Sequence, residues 1–165
     1  MKRPLPGPGG YGVDGKLVFY GAELLMDTFE LRPIGRVESD LTDPQTAPKQ
    51  GDEGAPPSRL VLDPGLAPAM RDLRPGTEAV VLTWLDRADR DTLTVHPRRD
   101  PSAPRTGVFS TRSPHRPYPI GLHTVRILAV DHDNARIHVA DLEAIDGTPI
   151  LDIKPVLPQH RSHDR

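Results

Sequence analysis

Between Ser110 and Gly121 the chain reads STRSPHRPYPIG, with prolines at 114, 117 and 119 and one aliphatic side chain, Ile120. Each proline fixes φ at about −65° and removes a backbone donor, so the segment can be neither a helix interior nor a central strand. It reads as a stiff, extended loop. Arg112 and Arg116 project from it, and a backbone with few accessible states loses little entropy when an anion docks between two guanidinium groups. The segment has the chemistry of a preorganised anion grip.

The charge pattern concentrates around that loop. The 165-residue chain has a formal net charge of −2, yet from Thr92 to Arg126 six arginines (98, 99, 105, 112, 116 and 126) face one acid, Asp100. That window therefore carries +5 and the remainder −7. Screening confines such fields to about 8–10 Å, so a local basic patch can draw in a phosphate backbone despite an acidic whole. The bland alternative is a solvated, arginine-rich loop face.

Residues 1–26 hold eight prolines and glycines within the first 15 positions and read as an N-terminal extension, expected to be disordered. No apolar run there suits a signal or a membrane segment, and cysteine is absent, so the expected setting is the reducing cytoplasm. Residues 27–158 carry the patterned domain, and 159–165 form a tail. FELRPIGRVES alternates apolar and polar side chains as a first strand bent near Pro33 and Gly35. RLVLDPG is a second strand, and LAPAMRDLRPG gives one or two helical turns stopped by Pro75 and Gly76. EAVVLTWLDRA is a strand lining a barrel or buried on both faces, TGVFS a short strand, and GLHTVRILAV a strand that returns through DHDN to ARIHVADLEAI. DGTPILDIKPVLP adds a glycine turn and a last strand. Strands dominate and helices are few and short, which predicts an all-β fold, a small closed or nearly closed β-barrel.

The usual catalytic signatures are missing: no GxSxG elbow, no HExxH, no P-loop and no GxGxxG after a strand. No histidine pair has metal-ligand spacing flanked by acids, so no metal is expected; His96 and His115 draw notice only because they border the arginine window. Asp146, before Gly147 and Thr148, can close a tight turn or contact a ligand. Asp152 and Lys154 alternate with Leu151 and Ile153 and share the polar face of the last strand, where an exposed pair is worth under about 1 kcal/mol.

GVFSTRSPHRPYPIGL and DLEAIDGTPILDIKP, with RPIGRVES and APKQG upstream and WLDRADRD between, resemble the TsaA-like family, which includes the TrmO tRNA methyltransferases; the match runs from Phe29 to Pro158. The resemblance implies a small TsaA-like β-barrel, a homodimer, that binds S-adenosyl-L-methionine (SAM) without a Rossmann sheet. It also implies N6-methylation of threonylcarbamoyladenosine beside the anticodon of threonine tRNA. Carried over by position, the cofactor residues are Pro48, Lys49, Gln50, Asp86, Arg87, Arg112, Leu122, Glu143, Ala144, Ile145 and Asp146. Arg112 would hold the methionine carboxylate in a fork. Arg98, Arg99, Arg105, Arg116 and Tyr118 are the candidate substrate or RNA contacts, and no catalytic base is assigned. Tyr118 stands where the family motif RPNPIG has asparagine, and Asp86 where histidine is common. A phenol cannot copy an amide's paired donor and acceptor. Two further readings therefore stand beside the first: a methyltransferase of the same fold with a small-molecule acceptor, and a noncatalytic module binding SAM or RNA.

Overall fold

The structure, a computed structural model, describes residues 30–157, so the N-terminal extension and the C-terminal tail lie outside the described residues. Eight strands occur there: β1 (Gly35–Glu38), β2 (Ser58–Leu62), β3 (Glu78–Trp84), β4 (Thr94–Val95), β5 (Thr106–Gly107), β6 (Ile120–Asp131), β7 (Arg136–Ala140) and β8 (Pro149–Pro155). The helical pieces are short 3₁₀ turns at Gly51–Glu53, Pro64–Met70, Pro97–Arg99 and Val108–Ser110. The described chain divides into two compact units, residues 33–86 with 120–157, and residues 30–32 with 87–119.

The first unit is the expected barrel. Its strands close in the order β1-β2-β7-β6-β3-β8, with antiparallel neighbours throughout. β6 carries the closure, because its N-terminal part pairs with β3 from Ile120 to Arg126 and its C-terminal part with β7 from Arg126 to Asp131. Alternate residues of β6 are buried: Gly121, His123, Val125 and Ile127 face in, while Ile120, Leu122, Thr124 and Arg126 face out. The register slips between Ile127 and Ala129, a bulge at which the alternation breaks and Ala129 faces out beside Leu128. β3 has the same period, with Ala79, Val81 and Thr83 buried, so it lines the barrel rather than being buried on both faces.

The core fills from Val37, Leu60, Val81, Ile137, Leu142 and Ile150, all essentially inaccessible. Each such side chain contributes about 1.5–3 kcal/mol on burial. Met70 caps this core from the 3₁₀ turn Pro64–Met70, whose start is held by Asp63 accepting a hydrogen bond from Gly65 N–H. Prolines sit where they cost least: Pro149 opens β8 and Pro155 ends it.

The second unit differs from expectation in one place. TGVFS contributes only Thr106–Gly107 as strand, paired with the two-residue β4, and Val108–Ser110 curls into a 3₁₀ turn. The cause is distant in sequence: Arg116 donates hydrogen bonds to the carbonyls of Val108, Thr111 and Ser113, drawing the backbone around its guanidinium. The segment ARIHVADLEAI likewise ends as strand at Ala140, because Asp141 adopts φ 64°, a left-handed conformation that leaves the ladder.

The β6–β7 hairpin is closed by Asp131, whose carboxylate accepts from the side-chain amide of Asn134 at 2.8 Å and its backbone N–H at 3.1 Å. These bonds hold the Asp131 carboxyl below the usual aspartate value, the side-chain bond contributing most. A lowered folded pKa means stability present above the unfolded value and lost as pH falls through the folded one. Asp131→Ala is therefore expected to lower the melting temperature at pH 7, with the gap to wild type closing as both are acidified. A gap that persists unchanged at pH 2 would show that the carboxylate's charge is not what closes the turn.

Candidate functional site

Two loops of the barrel unit come together through glycine. Gln50 is extended and donates from its side-chain amide to Lys49 O, and Gly51 then packs on the backbone of Asp141. A Cβ at Gly51 would lie 1.8 Å from Asp141 O, so only glycine permits this approach. The loop carrying Pro48, Lys49 and Gln50 thus meets, at Gly51, the start of the segment that continues through Glu143, Ala144, Ile145 and Asp146.

That segment is anchored at its far end to β1. Asp146 N–H donates to Leu41 O, Gly147 N–H to Val37 O, and Asp146 Oδ1 accepts from Ser39 N–H at 3.1 Å. Thr148 Oγ1 donates to Ile145 O, and Gly147 takes φ 77° to complete the turn. The turn itself is closed by Thr148 on Ile145 O, and the Asp146 carboxylate ties it to Ser39. Leu142 and Ala144 are buried on either side of Glu143.

The side chain of Glu143 leads to a group that sequence reasoning missed. Its Oε1 lies 2.9 Å from Nδ1 of His123, and Nε2 of His123 lies 2.8 Å from Thr83 Oγ1. Thr83 is fully buried, His123 is 5% exposed and Glu143 20%. Nδ1 has no aligned hydrogen bond, so the facing Glu143 carboxylate is the charge that offsets its burial. Parity along β6 was the available signal: Val125 and Ile127 face the core, and His123 is two residues from Val125 on the same face. The same parity puts Leu122, a resemblance-assigned cofactor residue, on the outer face opposite Leu82. Asp86 follows β3, its N–H donating to Trp84 O. Asp152 and Lys154 form their expected pair at 2.7 Å, and Lys154 is the main reason the Asp152 carboxyl titrates below its usual value.

The second unit contains Arg87, Arg98, Arg99, Arg105, Arg112, Arg116 and Tyr118. Their surroundings distinguish them. Arg116 is committed to three backbone carbonyls, and Arg105 to Thr94 through its hydroxyl and carbonyl oxygens. Arg98 and Arg99 have φ of 55° and 58°, consecutive left-handed residues in a loop fastened by His96 Nδ1 to Ala103 O at 2.7 Å and by Asp100 to Ser102. His115 Nδ1 accepts from Asp89 N–H, and Thr92 and the Asp91 amide, in that order, lower the Asp89 pKa. Phe109 stands 81% exposed on the turn that Arg116 holds.

Residues 36–162 match the family described as the tRNA-methyltransferase O N-terminal domain. A probable S-adenosyl-L-methionine-binding protein of Archaeoglobus fulgidus is 40% identical over 126 residues, 76% of this chain but 33% of that protein. An S-adenosyl-L-methionine-binding protein of the same organism is 39% identical over 129 residues, 78% of this chain and 90% of its own length. A crystal structure of TrmO superposes with a TM-score of 0.66 at 29% identity, covering 84% of this chain and 62% of that one. TrmO from Pseudomonas aeruginosa gives 0.63 at 27% identity, with 84% and 61% covered. The chain thus spans about a third of the first relative and three fifths of the solved chains.

A Cβ at Gly121 would stand 2.3 Å from Thr83 Oγ1 and 2.6 Å from His123 Nε2. Gly121→Ala is expected to destabilise the protein by about 1–3 kcal/mol through overpacking. The cost should shrink in a Thr83→Ala background, which removes the closer atom. Urea unfolding of the four-member cycle checks this, and equal costs in both backgrounds would exclude the contact as their source.

Proposed function

The chain belongs to the tRNA-methyltransferase O N-terminal domain family, and from that membership we infer that it is a SAM-dependent methyltransferase of tRNA. The reaction we propose is N6-methylation of threonylcarbamoyladenosine beside the anticodon of threonine tRNA. The observation that carries the cofactor half is the 39% identity to a SAM-binding protein across nine tenths of that protein's length. The geometry supports it, since Gly51 against Asp141 joins the two barrel loops assigned to the cofactor.

The donor set fits the cofactor. Arg112 supplies a planar guanidinium for the carboxylate. The Glu143 to Asp146 segment supplies backbone N–H and C=O groups, because Asp146 Oδ1 is engaged by Ser39 and Glu143 Oε1 faces His123. When bound, SAM supplies an electrophilic methyl group for displacement by the acceptor nitrogen. The protein's part is positioning, holding donor and acceptor so that a bimolecular step becomes effectively unimolecular. The functional unit we propose is a homodimer that covers the outward apolar row Leu82, Ile120 and Leu122; a light-scattering mass near 18.1 kDa would overturn it.

Tyr118 favours a second reading, a small-molecule acceptor, because a phenol replaces the amide of the family motif. Nucleoside mass spectrometry of threonine tRNA from cells with and without the gene separates the two. Loss of the methylated nucleoside supports the tRNA reading, and an unchanged profile transfers support to the other. Arg112→Ala is expected to weaken SAM binding by about 1.5–3 kcal/mol in calorimetry. Unchanged affinity would remove Arg112 from the cofactor site.

Arg98 and Arg99 offer a test of RNA docking. Each left-handed non-glycine residue costs about 1 kcal/mol or more, and glycine relieves that cost while adding entropy to the unfolded chain. Replacing both with glycine keeps the left-handed backbone accessible while deleting two charges, and the melting temperature is measured alongside as the control for folding. If both meet phosphates, the log–log salt dependence of tRNA binding should flatten by up to about 2. Superimposable salt titrations for wild type and the double glycine variant would exclude these two from phosphate contact.

A further inference from the structure

We propose that His123 is a positioning residue that ties the Asp141–Asp146 segment to the barrel wall through Glu143, and that Gly121 is required to make room for it. The inference rests on the cofactor reading, because that segment is the one assigned to SAM.

The argument starts from an unusual occupant of the barrel interior. The buried face of β6 is otherwise Gly121, Val125 and Ile127, and a histidine among them must be matched by polar partners on neighbouring elements. Thr83 on β3 and Glu143 on the segment after β7 supply them, at 2.8 and 2.9 Å from the two ring nitrogens. Nε2 shares a hydrogen bond with the Thr83 hydroxyl, and Oε1 of Glu143 stands 2.9 Å from Nδ1 without an aligned hydrogen bond, so the carboxylate meets the ring by proximity and Thr83 by a bond. The ring is flanked by a polar group on each side.

The consequence falls on the cofactor segment. From Ile145 onward that segment is fixed to β1 and to itself by backbone bonds, whereas Glu143 lies upstream of those ties. Its side chain turns toward His123, which leaves its backbone as the part available to a ligand. Holding that backbone in place before binding removes an ordering cost that the ligand would otherwise meet.

Asparagine places an amide nitrogen near the position of Nδ1, and glutamine near that of Nε2. His123→Asn thus keeps a donor toward Glu143, while His123→Gln keeps contact with Thr83 and loses Glu143. Full-length wild type and both variants would be studied by amide hydrogen exchange over residues 141–148 and by SAM calorimetry, with melting temperatures as the control for folding. Exchange is expected to quicken, and SAM affinity to fall about tenfold, in His123→Gln, with His123→Asn within about threefold of wild type. Variants that melt lower yet keep wild-type affinity and exchange protection would mark His123 as merely structural and overturn the inference. SAM binding to wild type that neither substitution alters overturns it alone, and failure of wild type to bind SAM overturns the cofactor reading together with it.

Discussion

A single twelve-residue strand decides the architecture. β6 must satisfy β3 along its first half and β7 along its second while keeping one face inward; Arg126 pairs with both, and the bulge between Ile127 and Ala129 follows within the β7 pairing. Alternation along β6 then sets what enters the interior: Val125 and Ile127 feed the apolar core, and two positions earlier the same face delivers His123. Fold and polar cluster thus arise from one periodicity. Gly121, one further step along, is small because the cluster occupies the space its side chain would need.

Much of this was legible because strands advertise their own period. β3, β7 and β8 fall within the segments read as strands, β2 overruns its segment by one residue at one end and β6 by one at each end, and the closed barrel follows from their number and the scarcity of helix. The misses share a physical cause, dependence on groups remote in sequence. Val108 buried and Phe109 exposed look like strand alternation, and only the Arg116 guanidinium, seven or more residues on, makes that stretch a turn. ARIHVADLEAI has no glycine or proline to announce its break, yet Asp141 leaves the ladder beside Gly51, a contact across 90 residues. His123 was passed over in favour of His96 and His115, which border the arginines. Its partners Thr83 and Glu143 lie 40 and 20 residues away, beyond any local motif.

The arginine window resolves into distinct tasks. Net charge treats its members alike, but geometry does not. Arg105 and Arg116 spend guanidinium donors on the fold of their own unit, which is how so proline-rich a segment satisfies carbonyls that no ladder reaches. Arg98 and Arg99 sit on left-handed backbone in a loop tied at both ends.

The acids of the segment proposed to hold SAM already have structural partners, which complicates any test by truncation. Glu143 and Asp146 would ordinarily be tested by deleting their carboxylates, and a loss of SAM affinity would be taken as loss of direct contacts. Here each carboxylate already has a structural partner, His123 for Glu143 and the Ser39 N–H for Asp146. Deleting either leaves its structural partner unmatched as well as removing any ligand contact, so the measured loss combines two effects that truncation cannot separate. The partner side is cleaner. His123 faces the barrel interior from β6 and touches Thr83 as well as Glu143, so only a pair of substitutions that keep one contact and lose the other separates what the held segment contributes from what the packing contributes.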